Sequence, residues 1–196
     1  MVRKLTDTEK TLVENLSNYL KVNDFDGFYK AILNGAEETG VPYIDACEYI
    51  NHITDFFVET CGIDVLKYIS ELYPYMFFEV NIGKNLVIDG KFEEIPFNCF
   101  MGTPVEKVTL KRGALASGGL GSDAFSNCAI KEWHEEESGG GYPVEGPSYI
   151  TSSNIDVYMS KDRLEKLWGP AIPLDLIKKN LSERQFEHAT VNIKLV

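Results

Sequence analysis

Apolar residues recur at helical spacing through the first third of the chain. Leu12, Leu16 and Leu20 fall on one helical face, and Thr6 with Glu9 fits the capping box that would open it. A second run begins near Asp24, carries Phe25, Phe28, Tyr29, Ile32 and Leu33, and stops at Gly40 before Pro42. A third starts at about Tyr43, places Ile44, Cys47, Ile50, Ile53, Phe56 and Phe57, and ends near Gly62. A short fourth run, Ile63 to Ser70, closes the region. Together they predict a small helical N-terminal domain. After residue 70 the period changes. Leu86-Val87-Ile88 and Val108-Thr109-Leu110 are strand-like triplets set among Gly, Asn and Pro, and Val191 to Val196 alternates as an edge strand would.

The second part repeats. Residues 95–108 lie over residues 120–133 without a gap, at an offset of 25. Apolar meets apolar at Ile95/Leu120, Phe100/Phe125, Val105/Ile130 and Val108/Trp133, and turn formers meet at Gly102/Asn127. A weaker copy upstream contains Leu72 to Phe77, so Phe77, Phe100 and Phe125 are spaced by 23 and 25 residues. Such periods belong to solenoids whose coils each supply a short strand and a wall of a shared core.

The coil from Leu86-Val87-Ile88 through Ile95-Pro96 to Cys99-Phe100 resembles the BspA-like leucine-rich repeats of bacteria, their phages and some protists. The next coil, Val108 to Phe125, keeps the rhythm with three extra residues around Gly118-Gly119. Asn154 to Trp168 looks like that family's closing unit, a last strand followed by a short helix ending in Trp. The resemblance covers roughly residues 70–168. It implies an α+β fold: a small helical domain over 1–70, leucine-rich repeats with their closing unit over 71–168, and a capping segment over 169–196. Glu135 to Tyr142 interrupts the array, and the family pattern does not explain it.

Composition narrows the function. The 196 residues carry 30 acidic against 19 basic side chains, a net charge of −11, which argues against wrapping nucleic acid and against an anionic membrane surface. The excess is uneven: residues 1–65 hold 12 acids against 5 bases, residues 66–168 hold 15 against 10, and the last 28 hold 3 against 4. No signal-peptide core follows Met1, and no stretch approaches the roughly 18 apolar residues of a membrane span. Cys47, Cys61, Cys99 and Cys128 form no C-x-x-C pair and no metal-ligand spacing, so a reduced, cytoplasmic protein with buried thiols is expected.

Candidate chemistry is sparse. His134 precedes three glutamates, but the position four residues on is Ser138, so helical zinc pairing fails and no metal is expected. The strings Gly118-Gly119-Leu120-Gly121 and Gly139-Gly140-Gly141 lack the Lys-Ser/Thr ending of a phosphate loop, and no Gly-x-Ser-x-Gly elbow occurs. No cofactor and no catalytic residue is expected. If Val105, Val108 and Leu110 point inward, then Glu106, Lys107 and Thr109 point away by alternation or a local bend, with Lys131, Glu132 and His134 as counterparts one repeat later. These mixed charged side chains form a candidate partner-binding strip, and Tyr142 with Tyr149 marks a second candidate in the 135–149 loop. The expected function is a non-enzymatic protein–protein interaction module. The resemblance implies a phage or mobile-element setting, where such a module would inhibit or regulate a host defence protein in the host cytoplasm. Two alternatives stay open: a virion or assembly component that forms a homo-oligomer, and an acidic mimic of nucleic acid.

Overall fold

Asp24 opens the first long helix by accepting the Gly27 amide on its carboxylate (2.8 Å), and Gly40 closes it in the left-handed conformation at φ 73°. That helix, α2 (Phe25–Thr39), follows a short α1 (Ser17–Lys21). It buries Phe25, Phe28, Tyr29 and Ile32, one apolar stripe at spacings of three and four. Pro42 precedes α3 (Tyr43–Cys61), and Gly62 ends it at φ 61°. The two helices meet through Phe25 and Phe28 against the Phe57 ring, each 6.0 Å between centroids. Between them the Tyr29 and Thr54 hydroxyls are bonded at 2.9 Å, and burial pushes the Tyr29 phenol pKa up. The computed structural model describes residue 7 and residues 15–62, 64–89, 92–115, 119–136, 148–187 and 189–196. The Thr6/Glu9 capping box and the Gly139 to Gly141 string lie outside the described residues.

A 3₁₀ turn at Val65–Lys67 leads to the sheet. Its strands are β1 (Asn85–Ile88), β2 (Lys107–Leu110), β3 (Glu132–Glu135), β4 (Asn154–Met159) and β5 (Thr190–Leu195). They lie side by side in chain order, all parallel. Helices α4 (Lys161–Trp168) and α5 (Leu174–Arg184) form the crossover from β4 to β5, and α5 packs against β5. Alternation puts Leu86, Ile88, Val108, Leu110, Trp133, Val157 and Met159 on the buried face.

The connections between strands stack as well. Each of three turns holds two left-handed residues four apart: Tyr75 and Glu79, Asn98 and Gly102, Asp123 and Asn127. Amide-to-carbonyl bonds tie one turn to the next, from Phe77 to Cys99, Phe100 to Ala124 and Gly102 to Ser126. At Gly121 the turns come so close that an added Cβ would sit 2.4 Å from the Phe97 nitrogen, so no other residue fits there. Between turns and sheet, the rings of Phe77, Phe100 and Phe125 stack at 5.1 and 5.4 Å, their planes nearly parallel. Trp133 meets Phe125 edge-on at 5.5 Å and Phe186 at 5.2 Å, which carries the aromatic column on to the segment before β5.

Among the described residues, one buried ion pair interrupts this apolar layer. Glu135 faces inward from β3, accepts Arg163 Nε of α4 at 2.9 Å, and accepts the Trp133 indole N–H at 3.3 Å. Both charged side chains are nearly sealed from water.

The expected α+β arrangement, a helical domain followed by a leucine-rich-repeat solenoid with a C-terminal cap, is corrected by this topology. The structure is an α/β fold with a single five-stranded, all-parallel sheet and flanking helices. The edge strand expected from the alternation of Val191 to Val196 is β5, which covers residues 190–195 at the edge of the sheet, hydrogen-bonded to β4 and reached through a helical crossover. The physical cause is the apolar face of α5 and β5: Ile177, Leu181, Phe186, Ala189 and Val191 join the same buried cluster as the rest of the sheet. That cluster is continuous from Phe25 to Val191. Among the described residues, no helix is long and apolar enough to cross a membrane.

Candidate functional site

The outward face of the sheet is polar because the strands alternate. Their register sets Asn85, Lys107, Glu132, Asp156 and Asn192 in one row across all five strands. Val87, Thr109, His134, Tyr158 and Lys194 form the next row. Parallel sheets are usually covered on both faces. Here most of these side chains stay exposed or half-buried, and Thr109 alone is closed over by its neighbours in the row.

Charge alternates between β2 and β3 and their flanks, while Glu132 and Asp156 lie side by side on β3 and β4. Glu106, just before β2, accepts Lys131 Nζ at 2.6 Å and also bonds Lys84 Nζ. These two donors, Lys131 foremost, hold its carboxyl pKa down at about 2. One row on, Lys107 Nζ lies 3.1 Å from Glu132 Oε2. Beyond the strands, Lys111 Nζ bonds Glu136 Oε1 at 2.6 Å. In a parallel register a near-identical repeat would place like charges beside each other, and directly opposed like charges destabilise a sheet. Opposite signs at an offset of 25 remove that repulsion. Exposed pairs contribute only about 0–1 kcal/mol each, so their main effect is to fix where the side chains point.

Glu132 also accepts His134 Nε2 at 2.8 Å, and this bond together with Lys107 lowers its pKa. The His134 ring stacks on Tyr158, with centroids 4.2 Å apart and planes 7° from parallel. Asn192 donates to Asp156 Oδ1 at 3.1 Å, and Lys194 Nζ sits 3.9 Å from Asp156 Oδ2. The result is a flat, ion-paired surface with one stacked aromatic pair near its middle.

Of the residues expected from sequence, Glu106, Lys107, Thr109, Glu132 and His134 come together on this face, with Thr109 beneath the surface. Tyr149 does not join them. Its backbone extends the turn stack, accepting the Asn127 amide and donating to Ser126 Oγ, while a hydrogen bond to Glu187 raises its phenol pKa. Tyr142 lies outside the described residues. Asp156, Tyr158, Asn192 and Lys194 belong to the face but were missing from the sequence-derived strip. Their signal is the alternation of Asn154-Ile155-Asp156-Val157-Tyr158-Met159, whose polar members continue both rows.

Among the described residues, no group of three or more His, Cys, Asp or Glu side chains could hold a metal ion. Cys47, Cys99 and Cys128 are free and buried, and burial pushes their thiol pKa values up, Cys99 furthest. Thiols so shielded present little thiolate to act as nucleophile or ligand. The chain matches no protein-family model, no curated protein and no solved structure.

Proposed function

We propose that the chain is a protein-interaction module without catalytic chemistry of its own, acting in the cytoplasm, and that the outward sheet face grips its partner. The observation that carries this reading is the stacked His134–Tyr158 pair set in a lattice of fixed ion pairs. Aromatic side chains held rigid in polar surroundings lose little freedom on binding, and aromatics dominate binding hot spots. The alternating charges around them supply register and selectivity more than affinity. The buried, protonated thiols suit a reducing compartment.

The test combines Lys107→Ala, Glu132→Ala, His134→Ala and Tyr158→Ala. A partner captured by the wild-type chain should bind this variant at least about 30-fold more weakly, the loss of one strong hot spot. The thermal midpoint should stay close to that of the wild type, because these side chains lie outside the core. Unchanged affinity for a confirmed partner overturns the assignment of this face.

A further inference from the structure

Among the described residues β1 and β5 are the edge strands of the sheet, and their surroundings differ in charge. The β1 edge adjoins the acidic helical part and is followed by Asp89, Glu93 and Glu94. The β5 edge lies in the segment 169–196, where 3 acids meet 4 bases in a chain of net charge −11. This is the stretch where a second, equally acidic copy would meet least repulsion.

The edge is available. Thr190 donates its amide to Ser153 and Val196 donates to Met159, both toward β4. Bonds in a parallel ladder alternate in direction along a strand. The N–H and C=O groups of Val191, Ile193 and Leu195 therefore point away from β4, and among the described residues β5 has no second neighbour in the sheet. Exposed apolar side chains are concentrated in the same stretch of sequence. Ile172, Leu174, Leu176, Leu195 and Val196 are five of the thirteen exposed large hydrophobic residues described, within one seventh of the chain.

We propose that β5 pairs antiparallel with β5 of a second copy, about a two-fold axis perpendicular to the sheet, to make one continuous ten-stranded sheet. Hydrogen-bonded antiparallel pairs must use the outward-facing residues on both strands. Centring the pair on Ile193 sets Ile193 against its own copy and Val191 against Leu195. Lys194 then lies opposite Asn192, while a shift that centres on Lys194 would oppose two cations. Such an axis keeps the same face up in both copies, so the two α5 helices lie on one side of the sheet. The exposed Leu174 and Leu176 of α5, with Ile172 just before it, are then on that side as well. Association of this kind leaves the outward face of both copies open, and it stands or falls independently of partner binding there.

Sedimentation equilibrium on the full chain tests this. The wild type should dimerise with a dissociation constant below about 100 μM, within reach of the method. Leu195→Pro removes one outward amide at a side chain that is already half exposed. Asn192→Lys puts a second cation opposite the partner's Lys194, while Asp156 beside it can receive the new charge within one copy. Each variant should raise the dissociation constant at least tenfold with an unchanged thermal midpoint, and if one fails to fold the other decides. A wild type that stays monomeric overturns the proposal. So do open-ended assemblies, or dimers that both variants leave as tight as before.

Discussion

Phe100 sits at the centre of the ring column, fully buried, with Phe77 on one side at 5.1 Å and Phe125 on the other at 5.4 Å. Replacing it with Leu keeps an apolar side chain but removes both stacked contacts. Aromatic pairs contribute about 0.5–1.5 kcal/mol each beyond the area they bury, so Phe100→Leu should cost about 1–3 kcal/mol in this respect. Phe77 ends the column and has one stacked neighbour in it, so Phe77→Leu should lose about half as much. Phe100→Ala adds a cavity and should cost about 3–5 kcal/mol, a large share of the roughly 5–15 kcal/mol that holds a domain folded. Urea unfolding followed by fluorescence of Trp133 and Trp168 gives all three values from the midpoint and slope. For a chain of this size the Leu substitution at position 100 should also lower the thermal midpoint by roughly 2–12 °C. If Phe100→Leu costs no more than Phe77→Leu, the column is ordinary apolar filling and the stacking argument fails.

The Glu106 bridge should show in acid. Its pKa is lowered on folding, so its stabilising contribution is complete above the ordinary carboxylate range and disappears as pH falls toward about 2. Comparing wild type with Glu106→Gln across that window should show the two stabilities converging at the acid end, and a constant difference refutes it. The buried pair behaves differently: Arg163→Met should cost about 3–5 kcal/mol, because it leaves the Glu135 carboxylate buried without its cation. Adding Glu135→Gln, whose carbonyl can still accept the Trp133 N–H, should restore most of that loss in the same urea experiment, and no recovery would refute the electrostatic account.

Much of the local structure could be read in the residues. The stripes at Phe25-Phe28-Tyr29-Ile32 and Ile50-Ile53-Phe57 mark α2 and α3, and Gly40 and Gly62 mark their ends, because helix periodicity and caps are local properties. The 25-residue offset reappears as the register of β2 on β3, with Lys107 beside Glu132 and Val108 beside Trp133. What that offset could not convey is how the neighbouring segments join. Whether Thr190 to Leu195 pairs with β4 depends on a crossover of two helices and on the distant burial of Phe186, and neither leaves a periodic trace. The missing half of the outward face has the same origin. Asp156, Tyr158, Asn192 and Lys194 are ordinary polar residues until the register of β4 and β5 aligns them with Glu132 and His134.

The Glu135–Arg163 contact also bears on the order in which the chain can be assembled. The carboxylate leaves the ribosome 28 residues ahead of its cation. Without α4, closing β3 onto the core would bury this carboxylate beside the Trp133 N–H but without the Arg163 cation, which costs several kcal/mol. Among the described residues, the first three helices and first two strands bury no charged side chain. The Glu135–Arg163 contact thus ties favourable closure of the middle strand to a helix that follows it by 28 residues.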